Sequence, residues 1–364
     1  MKNHSYNDKQ QIDMIDRLEK NRDLTDDEFI SLITDDDPEV MSYLSWKAVD
    51  TRRRIYGNDV YIRGLIEFTN YCKNNCKYCG IRRGNKNAER YRLDVNEILS
   101  CCDMGYELGF RTFVLQGGED PYYTDDMIVS IVREIKKRHP DVAVTLSIGE
   151  KEIRGAQGDT DSYRRYFEAG ADRYLLRHET ADEDHYKYLH PDEMSYDHRI
   201  DCLKELKDIG YQVGCGMMIG SPGQKPEHLL KDIRLIQELK PEMVGIGPFI
   251  PHHDTEYVDY PHGSVELTLR MLSIIRLILP DVLLPATTAL GTVAFDGRER
   301  GILSGANVVM PNLSPSGVRD KYLLYDNKIC TGEEAAECIR CLSGRIENIG
   351  YRIVVSRGDH VGFV

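Results

Sequence analysis

Three cysteines, Cys72, Cys76 and Cys79, stand in a C-x3-C-x2-C array within the stretch FTNYCKNNCKYCGIRRGNKNAERY at residues 68–91, with an aromatic residue, Tyr78, directly before the last of them. Three thiolates in one tight loop can hold three irons of a cubane 4Fe–4S cluster. The electron-transfer cluster takes four cysteines, so this arithmetic leaves one iron open to a non-protein ligand. Zinc and redox sites also use paired cysteines, but zinc needs further ligands at finger spacing. The nearest other cysteines, Cys101 and Cys102, fall in a helical pattern, and no His pair follows. An iron–sulfur loop is the better reading. A second group, Cys330, Cys338 and Cys341 in C-x7-C-x2-C, favours a second cluster site, 2Fe–2S or 4Fe–4S, over free thiols. Cys101, Cys102, Cys202 and Cys215 read as packed small hydrophobes.

Such a loop needs a scaffold, and the chain supplies a repeating one. Short apolar runs at 62–68, 112–116, 143–147, 173–177, 212–218, 243–247, 283–287 and 306–310 each end in a polar tip, and amphipathic helical patterns separate most of them. Alternating strand and helix implies a parallel sheet, and eight units imply an α/β fold closed as a (β/α)8 TIM barrel. The competing topology is a partial barrel of six units. Asp94 with Glu97, Thr124 and Ser264 open helices, and Pro280 stops one. Residues 1–56 read as an N-terminal helical extension, with a capping box at Thr25–Glu28 and Pro38 in a first turn. Residues 57–325 read as the barrel and 326–364 as a C-terminal extension bearing the second cysteine group. Arg52, Arg53 and Arg54 read as a solvated basic face.

In barrels of this kind chemistry collects at the C-terminal ends of the strands. The first run feeds directly into the cysteine loop, and the second ends in Gln116-Gly117-Gly118-Glu119-Asp120. Two glycines allow close approach of backbone to a ligand, and a carboxylate beside them can accept from an ammonium group. Arg63, Leu65 and Glu67 share one face of the first strand, and Arg173, Leu175 and Arg177 one face of the fourth. Charges walled in by helices are costly unless paired or used to hold an anion. Two readings follow: internal ion pairing, for example Glu67 with an arginine, or a cationic cavity for an anionic substrate. His252 and His253 follow the sixth strand and receive no role.

The bulk properties narrow the field. A formal charge of −13 and a pI near 5.4 argue against a nucleic-acid or anionic-membrane surface. No apolar run reaches membrane length and no export signal opens the chain, so its 10 cysteines point to metal or redox use in a cytoplasmic, low-oxygen setting.

The C-x3-C-x2-C spacing is the signature of the radical SAM superfamily, whose open iron chelates the amino and carboxylate groups of S-adenosylmethionine (SAM). The likeness goes further. FTNYCKNNCKYCGIRR, VLQGGEDPYY, DRYLLRHETA, VGIGPFIPHHDT, PATTALGT and VVMPN, in that order across residues 45–345, resemble the HydE family of radical SAM maturases of iron–iron hydrogenase. Biotin synthase and methylornithine synthase resemble the chain more distantly. The resemblance implies that Cys72, Cys76 and Cys79 carry the catalytic cluster. It implies that Tyr78, Gln116, Gly117, Gly118, Glu119, Ser147, Glu179 and Arg199 bind SAM. The glycine turn would take the methionine amino group, Glu179 the ribose hydroxyls and Arg199 the carboxylate. Thr287, Thr288, Met310, Tyr322 and Tyr325 would join Arg63, Arg173 and Arg177 in lining the substrate cavity. The implied chemistry is reductive cleavage of SAM to methionine and a 5′-deoxyadenosyl radical. That radical would act on a small anionic iron–cysteine synthon bearing CO and cyanide. The implied partners are the maturases HydG and HydF and an electron donor. Some HydE proteins carry an auxiliary cluster in the tail and others lack it. The alternatives are another biotin synthase-like radical SAM enzyme, inserting sulfur or rearranging an amino acid, and a non-catalytic iron–sulfur carrier.

Overall fold

The computed structural model describes residues 7–152, 161–332 and 335–363, the side chains of 335–338 excepted. Three helices come first, α1 (Asp8–Asn21), α2 (Asp26–Thr34) and α3 (Pro38–Tyr56). Their starts are set by side chains that satisfy free amide groups. Asn7 accepts from Gln10 N–H, Thr25 and Glu28 cap each other, and Asp37 precedes Pro38. Their apolar faces, including Ile15, Leu18, Phe29, Leu32 and Leu44, join the main core. Arg53 and Arg54 are exposed, as a solvated basic run requires, but Arg52 is not. It is fully buried, donates to the carbonyls of Gly57 and Asp59, and lies 4.3 Å from the Tyr351 ring centroid. A face that looks solvated in local sequence is covered by a tyrosine from the far end of the chain.

The first stave is β1 (Asp59–Ile62) continued by β2 (Gly64–Thr69). After α4 (Val95–Glu107) come β3 (Thr112–Gly117), α5 (Asp125–Arg138), β4 (Ala143–Ser147), α6 (Ser162–Ala169) and β5 (Ala171–Leu175). Then follow α7 (Glu183–Leu189), α8 (Tyr196–Ile209), β6 (Gln212–Cys215) with its continuation β7 (Met218–Ile219), α9 (Pro226–Leu239), and β8 (Met243–Val244) continued by β9 (Gly247–Pro248). The order β2-β3-β4-β5-β6-β8 is parallel throughout. Beyond α10 (Val265–Ile278), parallel bridges from Met243 to Leu283 and from Pro285 to Val308 carry the pairing through a seventh stave. The helices α11 (Thr288–Val293) and α12 (Gly297–Ile302) lead to β10 (Val308–Val309), which pairs with β1 and closes the ring. The barrel is therefore complete with eight staves rather than six. Ile66 and Phe68 face the layer beneath the helices, so by alternation Leu65 and Glu67 face the interior.

The remainder, α13 (Ser316–Arg319), α14 (Ala335–Asn348) and β11 (Arg352–Val354), returns to the other end of the barrel. There β11 pairs in parallel with β1, and the residues after it cross the N-terminal ends of the strands. Thr112 Oγ1 and Arg173 Nη2 both donate to Arg357 O at 2.7 Å, and Gln212 Nε2 donates to Asp359 Oδ1 at 2.8 Å. The tail is thus the floor of the barrel, and the cysteine loop sits at its mouth. Among the described residues no helix is long and apolar enough to cross a membrane.

Candidate active site at the barrel mouth

Strand β2 ends at Thr69, and the loop that follows brings Cys72, Cys76 and Cys79 to the mouth, each half-buried. Cys79 N–H donates to Cys76 O at 3.2 Å, and Asn74 N–H points at Cys72 Sγ at 3.4 Å. Arg90 clamps the loop from behind. Its guanidinium donates to the carbonyls of Ile81 at 2.8 Å, Arg82 at 2.7 Å and Asn85 at 3.0 Å, and also to that of Asn70. The loop is tied to its surroundings through Lys73 N–H to Glu119 O, Lys77 N–H to Leu189 O and Gly80 N–H to Leu324 O. Burial, and then the charge of Cys72, push the Cys79 thiol up to about 12. Burial raises Cys76 and Cys72 as well, Cys76 well above its ordinary range with Cys79 and Cys72 adding to it. Three crowded thiols are costly to ionise on their own, and bound iron supplies the positive charge that makes three thiolates stable there. The donor set fits a three-cysteine iron–sulfur cluster.

The turn at the tip of β3 lies against this loop. A Cβ at Gly118 would stand 2.1 Å from Tyr71 O and 2.7 Å from Cys72 Cβ, so only glycine allows the approach. Glu119 accepts from Glu150 N–H at 3.0 Å through Oε1, and Lys73 Nζ lies 3.3 Å from Oε2. Ser147 is paired in register with Gln116 at the neighbouring strand tip. Glu179 follows β5 with a left-handed backbone, φ +66°, and its Oε2 lies 3.0 Å from Arg177 Nη2. Arg199, on α8, donates to Arg177 O at 3.1 Å and is ion-paired to Glu150. Burial works against the Arg199 charge, but Glu150, Tyr186 and Glu119 outweigh it and raise the group well above its usual range. Tyr78 O–H meets His190 Nε2 at 3.2 Å, and His190 is fixed by its contact with Tyr186 O at 2.9 Å.

Cys72, Cys76, Cys79, Tyr78, the 116–119 turn, Ser147, Glu179 and Arg199 therefore meet at one end of the barrel. Glu150, Arg90 and His190 join them unannounced. Glu150 had a readable signal, since it lies three residues beyond Ser147 at a strand tip. The other two had none.

Inside the barrel the predicted lining divides. Tyr322 is buried and its hydroxyl accepts from Gln116 Nε2 at 3.3 Å, while burial raises the half-exposed Tyr325. Thr287 caps α11, and Thr288 Oγ1 accepts from Arg298 Nη2 at 3.4 Å. Met310 packs with Tyr56, Met243, Leu283 and Val308. Arg63 is buried beside this group with Nη1 2.7 Å from Met243 Sδ, and its Nε and Nη2 meet no acceptor among the described residues. Arg173 is not in the cavity. As the third residue of β5 it points to the floor, where Asp359 Oδ1 at 2.6 Å, Arg357 O, Thr112 Oγ1 and Gln212 Oε1 take its donors. Glu67 pairs not with an arginine but with Lys328, at 2.6 Å.

Cys330 is half-buried with Sγ 3.7 Å and 3.8 Å from the Arg298 guanidinium nitrogens, Cys341 is exposed, and the Cys338 side chain lies outside the described residues. Cys101, Cys102, Cys202 and Cys215 are buried.

Comparison with known proteins agrees with this geometry. The radical SAM superfamily model matches residues 66–236. The [FeFe] hydrogenase maturase subunit HydE of Thermotoga maritima is 48% identical over 303 residues, covering 83% of this chain and 84% of its own. The 3-methylornithine synthase of Methanosarcina acetivorans is 29% identical over 90% of this chain and 89% of its own. The solved structure of methylornithine synthase (PylB) superposes with a TM-score of 0.80 at 28% identity, over 94% of this chain and 97% of that one. HydG, a maturase of the [FeFe]-hydrogenase, superposes with a TM-score of 0.80 at 19% identity, over 96% of this chain and 76% of that one, a likeness of fold. The chain is a radical SAM enzyme and belongs to the HydE family of [FeFe] hydrogenase maturases.

Proposed function

We propose that the enzyme cleaves SAM at the barrel mouth and directs the resulting radical at a small anionic iron–cysteine synthon during assembly of the hydrogenase H-cluster. The observation that carries the substrate reading is Arg63. A guanidinium buried in the barrel interior with two nitrogens lacking acceptors among the described residues is costly, and an anionic group entering the cavity would satisfy it. Burial, and then the nearby charge of Arg173, disfavour the Arg63 cation, with Asp359 opposing them, and an incoming anion would favour the charged form again.

Cys72, Cys76 and Cys79 would hold the 4Fe–4S cluster. When reduced and bound to SAM, it supplies the electron that yields methionine and a 5′-deoxyadenosyl radical. The chain supplies orientation and exclusion of water. The Gly117–Gly118 turn and Glu119 would receive the methionine ammonium, Arg199 its carboxylate and Glu179 the ribose hydroxyls. Tyr78, Gln116 and Ser147 would complete that pocket. Arg177, Thr287, Thr288, Met310, Tyr322 and Tyr325 would line the substrate cavity with Arg63. Residues 1–56 act as a helical cover, 57–325 as the catalytic barrel and 326–364 as an extension whose Cys330, Cys338 and Cys341 hold a second iron–sulfur cluster. HydG as source of the synthon, HydF, an electron donor and a cytoplasmic, low-oxygen location complete the reading.

The test is anaerobic reconstitution with iron and sulfide, SAM and a strong reductant. Wild type should release 5′-deoxyadenosine and support hydrogenase maturation. Arg63→Leu should keep SAM cleavage and lose maturation. Full maturation by Arg63→Leu would refute the assignment of Arg63 to substrate.

A further inference from the structure

His178 and Asp232 form a pair that neither the cluster nor the cavity uses. Both are wholly buried, and His178 Nε2 lies 3.2 Å from Asp232 Oδ1. The tautomer follows from the other side of the ring. Gly216 N–H donates to His178 Nδ1 at 3.3 Å, so Nδ1 accepts and Nε2 carries the proton that Asp232 receives. Asp232 Oδ1 also accepts from Ala181 N–H at 2.6 Å. The imidazole therefore spans three elements: the tip of β5, the turn after β6, and α9, which carries Asp232.

Between the two anchors of this network sits Glu179. It is one of the few non-glycine residues with positive φ, and its own N–H donates to Gly216 O at 2.9 Å. Gly216 has no room for a side chain, because a Cβ there would stand 2.0 Å from Gly245 O. A left-handed glutamate persists only where its surroundings over-determine it. Here they do so on both flanks: His178 is locked to Gly216 and Asp232 before it, and Ala181 is locked to Asp232 after it. We infer that the His178–Asp232 pair is a positioning device that holds Glu179 in the backbone conformation presenting its carboxylate at the SAM site. This rests on the reading of Glu179 as a SAM ligand. His178 and Asp232 touch neither SAM nor the reacting atoms; they act through the peptide of Glu179.

A double-mutant cycle tests it, with SAM dissociation constants measured by anaerobic titration calorimetry on reconstituted holoenzyme and cluster content checked by absorbance. Glu179→Ala should weaken SAM by roughly 30-fold or more, the loss expected for a buried charged hydrogen bond. His178→Leu and Asp232→Ala should each weaken it by about tenfold, while His178→Gln, whose amide can accept from Gly216 and donate to Asp232, stays near wild type. In the Glu179→Ala background, His178→Leu should add no further loss, because the group it positions is gone. If Glu179→Ala leaves SAM affinity unchanged, the ligand reading falls and the inference with it. If Glu179→Ala weakens SAM but His178→Leu costs the same with and without Glu179, or costs nothing, the positioning role alone is refuted. Should His178→Leu fail to fold, the cycle run with Asp232→Ala and the rescue by His178→Gln decide the question.

Discussion

Lys328 Nζ lies 2.6 Å from Glu67 Oε1, joining residues 261 positions apart in the chain inside the barrel. Both side chains are almost wholly buried. Lys328 also donates to Tyr322 O at 2.9 Å and stands 5.0 Å from the Tyr322 ring centroid, while Glu67 Oε2 accepts from Asn312 Nδ2 at 2.8 Å. The first strand, the loop after the eighth and the segment carrying Tyr322 and Tyr325 are thereby pinned around one charge pair. Removing one member strands the other charge in the interior, at a cost of about 3–5 kcal/mol, whereas removing both charges is far cheaper. Lys328→Met should be destabilised by that amount in urea unfolding, and Glu67→Gln with Lys328→Met should recover most of it. A Lys328→Met protein as stable as wild type would show that the pair contributes nothing.

Arg90 holds the cysteine loop chiefly through four backbone carbonyls, with the Tyr71 ring 6.0 Å away, so its planar fork matters more than its charge. Lysine keeps the charge but cannot reach acceptors at Ile81, Arg82, Asn85 and Asn70 together. Arg90→Lys and Arg90→Met should both loosen the loop by on the order of 2 kcal/mol, the worth of a charged hydrogen bond. The measurement is the rate of iron loss to a chelator after reconstitution. If Arg90→Lys lost iron as slowly as wild type, the clamp would not depend on the fork.

The chemistry of Cys72, Cys76 and Cys79 and of the 116–119 turn was readable because each lies within a short window whose spacing the ligand itself dictates. The barrel was readable because strand and helix alternate with regular signals. Arg63, Glu67 and Arg173 were rightly read as interior by the two-residue period, but that period says nothing about height along the barrel. Arg173, early in β5, reaches the floor and not the mouth. Its partner Asp359 is 186 positions away and that of Glu67 is 261, so no local pattern announces either. Arg52 misled for the same reason, since the ring that covers it belongs to Tyr351.

The floor network gives a pH signature. Burial works to raise the Asp359 carboxyl, but the hydrogen bond from Arg357, the charge of Arg173 and the amide of Gln212 bring it down to about 2. A carboxylate held below its unfolded value of about 3.9 stabilises the fold above that value and loses the contribution as pH falls through the folded value. Solvent reaches part of the network, so the contribution is about 1 kcal/mol after screening. Wild type should therefore lose stability relative to Asp359→Asn between about pH 5 and pH 2, and keep a constant margin above pH 5. A margin that did not shrink on acidification would remove Asp359 as the titrating group.

The tail cysteines offer the sharpest test of how far the chemistry extends. Cys330 is only two residues from Lys328, its sulfur lies beside the Arg298 guanidinium, and Cys341 is exposed on α14. Arg298 in turn reaches Thr288 Oγ1, so the tail touches the barrel wall through one intervening side chain. A deoxyadenosyl radical reacts only with atoms held against it, so a centre that meets the barrel through Arg298 would not be its target. Stability or electron relay are the roles left to it. Replacing Cys330, Cys338 and Cys341 together with Ser should lower the iron count while SAM cleavage stays within about twofold, the range of a surface change, and maturation continues. A triple variant that kept its first cluster and its SAM cleavage but failed to mature hydrogenase would bring the tail into the substrate reaction.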